Sequence, residues 1–168
     1  MNLVLARIDD RFIHGQVTVG WGQRLRPDLI ILVNDEIAAD PWQARIYAST
    51  VPPDVSVRVL SVADAAATLR SAEDELGGYE RVFLLTGCPS DMHALVTMGV
   101  GMERINVGGM HFASGKQEML PSVYVDRDDL AVFRTLLRRG VRLAAQSVPG
   151  SREVMLDDGL LAAMEARL

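Results

Sequence analysis

The sequence is organised around residues 3–17, which read Leu3-Val4-Leu5-Ala6-Arg7-Ile8-Asp9-Asp10-Arg11-Phe12-Ile13-His14-Gly15-Gln16-Val17. The apolar run Leu3–Ala6 predicts a short buried strand, and the pattern from Gln16 to Leu25 predicts a helix. His14 therefore lies where a strand has ended and a helix is about to begin. This strand-to-helix step is repeated along the chain, so the stretch sets the expected fold class.

The residue types around His14 favour binding of an anion. The first turn of a helix has amide groups without partners and a partial positive charge. Arg7 and Arg11 can each offer a planar fork of donors to a phosphate. The backbone groups expected to bind phosphate are those of Gly15, Gln16 and Val17.

The neighbouring carboxylates suggest how the histidine is activated. Asp9 or Asp10 can hold one ring nitrogen of His14 and leave the other free as a nucleophile. The pattern indicates a histidine that carries a phosphoryl group, with Arg7, Arg11 and Asp10 in the catalytic site. On spacing alone, a surface histidine among solvated ion pairs remains an alternative.

Composition bounds the class of protein. The 168 residues predict one domain over 1–168, long enough to bury a core. No apolar run approaches the roughly 18 residues that a membrane-spanning helix needs, and the N-terminus does not resemble a signal peptide, so we expect a cytoplasmic protein. The net charge is −5 and no basic stretch carries interleaved aromatics, which argues against nucleic-acid binding. The single cysteine, Cys88, has no metal-ligand spacing around it, and we expect neither a metal nor a cofactor.

Strand-like and helix-like segments alternate along the whole chain. The predicted strands are Leu3–Ala6, Leu29–Val33, Val55–Leu60, Arg81–Thr86, Arg104–Val107, Ser122–Val125 and Val141–Ala145. The predicted helices are Gln16–Leu25, Pro41 to about Thr50, Ser61 to Arg70 or Leu76, Met92–Met98, Asp126–Arg139 and Glu153–Leu168. Continuous apolar strands alternating with helices predict a three-layer α/β fold, with an open, mostly parallel sheet and helices on both faces.

These residues together resemble the IIB component of the mannose/sorbose family of the bacterial sugar phosphotransferase system (PTS). The run Arg7–Val17 is close to the family signature, and the resemblance extends over nearly the full length. Further matches are Trp21, Asn34-Asp35, Ala39-Asp40, Asn106-Val107-Gly108-Gly109-Met110, Gly115-Lys116 and Gln146-Ser147-Val148-Pro149. Phe12 stands where the family more often has leucine.

The resemblance implies both a fold and an activity. The expected sheet has seven strands in the order 3-2-1-4-5-6-7, with the last strand antiparallel. The implied enzyme is a protein-Nπ-phosphohistidine–sugar phosphotransferase, which takes a phosphoryl group from a IIA protein onto His14. It passes that group to a sugar entering through the membrane components IIC and IID, with which it associates peripherally. IIA is expected to be a separate protein, a homodimer is possible, and the sugar is not specified.

The implied strand order extends the expected site to other loops. If the first strand lies between the second and fourth, strand order reverses at His14, and ligands of open α/β sheets bind at such a point. The loops after the second and fourth strands would then border the site. They contain Thr86 and Ser90, either of which can give a hydroxyl to the phosphate, or simply end a strand and cap a helix.

The other histidines and two other functions stay open. His93 is expected on a helix surface, and His111 either near a partner surface or in a turn. One alternative function is a regulatory phosphorelay protein of an incomplete PTS, phosphorylated at His14 without moving sugar. The other is an α/β domain that binds a phosphate ester through Arg7 and Arg11 without covalent chemistry.

Overall fold

The computed structural model describes residues 1–168 apart from the side chain of Glu73. The strands are β1 (Asn2–Asp9), β2 (Leu29–Val33), β3 (Ser56–Leu60), β4 (Arg81–Thr86), β5 (Arg104–Gly109), β6 (Gln117–Leu120), β7 (Val123–Val125), β8 (Arg142–Ala145) and β9 (Val154–Met155). The helices are a π-helix (Gln16–Trp21), α1 (Gly22–Leu25), α2 (Asp35–Ala39), α3 (Pro41–Ala48), α4 (Val62–Arg70), α5 (Ala72–Glu75), α6 (Pro89–Thr97), α7 (Arg127–Arg138) and α8 (Asp158–Glu165).

The main sheet confirms the predicted fold class. It has seven strands in the order β3-β2-β4-β1-β5-β8-β9, all parallel except β9, which is antiparallel to β8. Helices cover both faces. One core contains side chains from α4, α6, α7 and α8, and the other contains side chains from the π-helix and α2. The result is a three-layer α/β structure.

The predicted strand order is wrong at its centre. β4 lies between β2 and β1, so that β1 pairs with β4 on one side and β5 on the other. Strands β1, β2 and β4 are all rich in apolar residues, and such runs do not encode which neighbour they take. The central position of β1 lets its polar carboxyl end meet Asn106 of β5.

The far edge of the sheet also differs from the prediction. The predicted sixth strand corresponds to β7, which pairs with β6 in a separate two-stranded hairpin. The predicted last strand corresponds to β8, which is parallel to β5. The antiparallel edge is β9, inside the segment predicted as the helix Glu153–Leu168, because that helix begins only after Asp157 caps it.

Local signals place most helices correctly. The side chain of Asp40 caps α3, whose first residue is Pro41, and the side chain of Ser61 caps α4. Asp126 begins α7 with a capping box, in which its side chain and that of Asp129 each accept from the other's backbone amide. Among the helices of the described chain, none combines the length and apolar character that a membrane span requires.

Candidate functional site

The site lies at the carboxyl end of β1, between β1 and β5. The connection from β1 runs toward β2, whereas the connection from β5 runs toward β8, so the crevice between them is a topological switch point. His14 follows β1, as predicted, and precedes the π-helix. The loops after β5 and β8 border this crevice. The loop after β2 does not, because β4 lies between β2 and β1, which corrects that part of the expectation. The loop after β4 packs through Gly87 against Phe12, on the other side of β1.

Asp9 is the centre of the hydrogen-bond network. Its carboxylate is fully buried and accepts from His14 Nε2 at 2.9 Å. Burial acts to raise the pKa of Asp9, but the hydrogen bond from His14 and the charge of Arg7 outweigh it and lower the pKa to about 2. A carboxylate can only accept, so His14 carries its proton on Nε2. His14 Nδ1, in a side chain 18% exposed, has no partner among the described residues.

Arg7 is buried beneath the site. Its guanidinium donates to Asp9 Oδ2 at 2.7 Å, to Asn106 Oδ1 at 2.5 Å and to the Gln146 carbonyl at 3.0 Å. Burial lowers the pKa of Arg7, and the charge of Asp9 opposes that effect. A Cβ on Gly108 would overlap the guanidinium, so glycine is needed there. Arg7 therefore holds Asp9 in place and does not present a fork to solvent.

Arg11 is the arginine at the mouth of the site. Its side chain is 40% exposed. Its backbone amide donates to Asp9 Oδ1 at 3.2 Å, and its Nη2 donates to Gln16 Oε1 at 2.9 Å. Its Nε lies 3.5 Å from Asp9 Oδ1, so the guanidinium is next to the carboxylate that holds His14 and keeps donors for an anion.

The backbone after His14 offers fewer amides than expected. The Val17 amide donates to the His14 carbonyl at 2.9 Å, and the Val17 side chain is buried. Within the described part of the chain, the amides of Gly15 and Gln16 have no protein partner. The helix opens with π geometry, which is often found at functional sites. Two of the three predicted amides are thus available to an anion.

Asp10 binds a histidine that is distant in sequence. Its carboxylate accepts from His111 Nδ1 at 2.5 Å and from the His111 amide at 2.6 Å. His111 directly follows the end of β5 and Met110, and its side chain is 42% exposed. From sequence, His111 is expected either in a turn or near a partner surface. Neither expectation includes this contact with Asp10. Its position after Gly108-Gly109-Met110, next to a matched family segment, is the signal that could have found it.

Thr86 and Ser90 lie on the other side of β1. Thr86, the last residue of β4, is fully buried, and its hydroxyl donates to the Cys88 carbonyl at 3.2 Å. Ser90 is exposed in the first turn of α6. The structure does not bring either hydroxyl into the network around Asp9. Cys88 is half-buried, and burial raises the pKa of its thiol.

Three residues of the network were not among the predicted site residues. Asn106 and the Gln146 carbonyl satisfy the Arg7 guanidinium, and the Trp21 ring lies 5.9 Å from its Cζ. Trp21 in turn donates through Nε1 to the Ser147 carbonyl at 3.0 Å. All three residues belong to segments that resemble the family. The sequence around each of them does not indicate that together they surround a buried arginine.

Comparisons with known proteins identify the family of the chain. The family model described as the sorbose-subfamily IIB component of the PTS matches residues 3–167. The chain is similar to the N-acetylgalactosamine-specific phosphotransferase enzyme IIB component 2 of Escherichia coli, with 38% identity over 148 residues, 88% of this chain and 92% of that protein. It is 39% identical to the fructose-specific EIIB component of Bacillus subtilis over 151 residues, 89% of this chain and 90% of that protein.

A solved structure of a IIB domain has a similar fold. The IIBSor domain of the sorbose permease from Klebsiella pneumoniae superposes with a TM-score of 0.83 at 34% identity, covering 92% of this chain and 93% of that domain. The family match extends through the signature around His14 and both edges of the sheet. The chain therefore belongs to the sorbose subfamily of PTS IIB components.

Proposed function

We propose that this chain is a phosphohistidine carrier that accepts a phosphoryl group on His14 Nδ1. The observation that carries the proposal is the orientation of the ring, with Nε2 held by a buried carboxylate and Nδ1 without a partner among the described residues. Arg11 belongs to the same cluster, since its Nε lies 3.5 Å from that carboxylate. A neutral imidazole in this tautomer has its lone pair on Nδ1, which makes that atom the nucleophile.

The surrounding charges suit phosphoryl transfer. As the P–N bond forms, the His14 ring becomes an imidazolium, and ionised Asp9 stabilises its charge through Nε2–H. We assign neutralisation of the phosphoryl oxygens to Arg11 and to the amides of Gly15 and Gln16, because the Arg11 side chain is 40% exposed and both amides lack a protein partner among the described residues. Arg7 acts through Asp9 as a positioning residue, since its guanidinium is fully buried.

The donor and acceptor follow from the family. The donor is a IIA protein carrying phosphohistidine, and the acceptor is a sugar held by the membrane components IIC and IID, with this chain at their cytoplasmic side. The named relatives act on N-acetylgalactosamine and fructose, and the solved domain is part of a sorbose permease. We infer a hexose or hexosamine as substrate.

Labelling tests the proposal directly. The protein is incubated with the general phosphocarrier protein, its kinase, a IIA protein and labelled phosphoenolpyruvate. We expect acid-labile label on the wild type and on His93→Ala, a matched control in α6 whose ring contacts Thr97. His14→Ala should take none. Equal labelling of His14→Ala would overturn the assignment, and an unlabelled wild type that still binds a sugar phosphate would favour non-covalent binding.

A further inference from the structure

A second histidine at the site is held in the orientation of a base. Asp10 accepts from both the backbone amide and the ring Nδ1 of His111, at 2.6 and 2.5 Å. The two bonds set the backbone position and the ring orientation together. Because Nδ1 carries a proton and donates it in the hydrogen bond to Asp10, the lone pair of the neutral ring lies on Nε2. The side chain is 42% exposed, so a ligand can reach it.

The two carboxylate–imidazole pairs meet at Gly109. A Cβ built on Gly109 would lie 3.1 Å from Asp9 Oδ1 and 3.3 Å from His111 Cε1. The Asp9 carboxylate, which holds His14, and the edge of the His111 ring therefore both lie next to Gly109, which has no side chain to separate them. Asp9 and Asp10, adjacent in β1 and the turn that follows, orient one histidine each.

The two transfers that the proposed function requires differ in whether the attacking group has to lose a proton. In the first, the lone pair of His14 Nδ1 replaces that of the IIA histidine on phosphorus, so one P–N bond forms as another breaks and no proton has to leave. In the second, a sugar oxygen forms a P–O bond as the P–N bond to His14 breaks. The hydroxyl proton has to go to a base, while His14 leaves as a neutral ring with its proton on Nε2. Asp9 already accepts a hydrogen bond from that Nε2–H, so it is not placed to take the proton of the sugar hydroxyl.

We propose that His111 Nε2 accepts the proton of the sugar hydroxyl in the second transfer, with Asp10 holding the ring and stabilising the imidazolium that forms. This inference rests on the proposed function of His14. The arrangement is that of a carboxylate–histidine pair in general base catalysis, which typically contributes about 10²–10⁴-fold. It assigns Asp10 a role as the positioning residue for His111.

Single-turnover measurements of the two transfers test the inference. The protein is first labelled by phosphorylated IIA. It is then mixed, at saturating concentration, with membrane vesicles carrying the IIC and IID components of its transporter. N-acetylgalactosamine, fructose, sorbose and mannose are offered separately. His111→Ala keeps the backbone amide that Asp10 binds, and His111→Gln can still donate to Asp10, so both variants are expected to fold.

We expect both variants to be labelled at rates within about threefold of the wild type but to pass phosphate to sugar about 10²-fold more slowly. Added imidazole should restore transfer by His111→Ala, which a loss of docking or of structure would not allow. His93→Ala should match the wild type in both steps. Wild-type sugar transfer by the His111 variants, or a slow transfer that imidazole does not rescue, overturns the inference. A wild type that is not labelled, or that phosphorylates no sugar, overturns the proposed function and this inference with it.

Discussion

Replacing Asp9 by asparagine tests both the stability and the chemistry of the site. The carboxylate accepts from Arg7 Nη2 at 2.7 Å and from His14 Nε2 at 2.9 Å, and it is fully buried. An asparagine at this position would retain one acceptor oxygen but lose the charge. Arg7 would remain buried with neutral acceptors only, namely the new asparagine oxygen, Asn106 and the Gln146 carbonyl.

The expected loss of stability follows from this burial. Removing one partner of a buried ion pair typically costs about 3–5 kcal/mol, because the other charge is left uncompensated. The lowering of the Asp9 pKa from 3.8 to about 2 corresponds to roughly 2 kcal/mol between its charged and neutral forms. We therefore expect Asp9→Asn to lower the free energy of unfolding by about 2–4 kcal/mol at pH 7.

The difference in unfolding free energy between the wild type and Asp9→Asn should depend on pH in a characteristic way. The folded pKa of Asp9 lies below the unfolded value, so the stabilisation is fully present above about pH 4 and is lost as the pH falls through about 2. Urea unfolding of wild type and Asp9→Asn should show a constant difference between about pH 5 and pH 7, which shrinks as the pH approaches 2. Asp10→Asn is the matched control for stability, because that carboxylate is exposed and should contribute no more than about 1 kcal/mol.

The same substitution should slow phosphorylation of His14. An asparagine NH₂ group facing the ring favours the tautomer with the proton on Nδ1, which removes the nucleophilic lone pair. The corresponding change in serine-protease triads costs about 10⁴-fold, and we expect a loss of about 10²–10⁴-fold in labelling by IIA. An unfolding free energy within about 0.5 kcal/mol of the wild type, or an unchanged labelling rate, would refute the reasoning.

Three further substitutions test other parts of the structure. Gly108→Ala should destabilise the fold by about 3 kcal/mol or more in urea unfolding, since its Cβ overlaps the buried Arg7 guanidinium. Arg11→Gln should slow labelling of the site about 10²-fold while changing stability by less than about 1 kcal/mol, since its guanidinium is exposed at the mouth. Lys116→Met should lower the free energy of unfolding by about 1–2 kcal/mol in urea, because Lys116 bonds Asp129 of α7 at 2.5 Å.

Each of these has a control or a contrary outcome. Gly150→Ala is the control for the glycine substitution, since a Cβ there meets no atom within 4 Å. A stable Gly108→Ala protein would mean that Arg7 can leave its buried position at little cost. Wild-type labelling of Arg11→Gln would remove Arg11 from the phosphate site. An unchanged stability of Lys116→Met would mean that its ion pair does not hold the hairpin to the start of α7.

The parts of the site that can be predicted from sequence are local. An apolar run and a helical pattern meet at His14, which predicts its place between a strand and a helix, and the structure has it at that position. The roles of the charged residues are less predictable. Arg7 and Arg11 are alike in the signature, yet one is buried and the other exposed. Arg7 lies in the part of the central strand β1 that is buried on both faces, whereas Arg11 lies beyond the end of that strand.

The sequence by itself determined the helix caps, the apolar strands and the α/β class, because these depend on residues within a few positions of one another. Only the tertiary structure decided that β4 lies between β2 and β1, and that Asp10 meets a histidine 101 positions away. Strands of similar apolar character can exchange neighbours without altering their own pattern. The packing of the whole sheet selects among them, and contacts between distant loops follow from that choice.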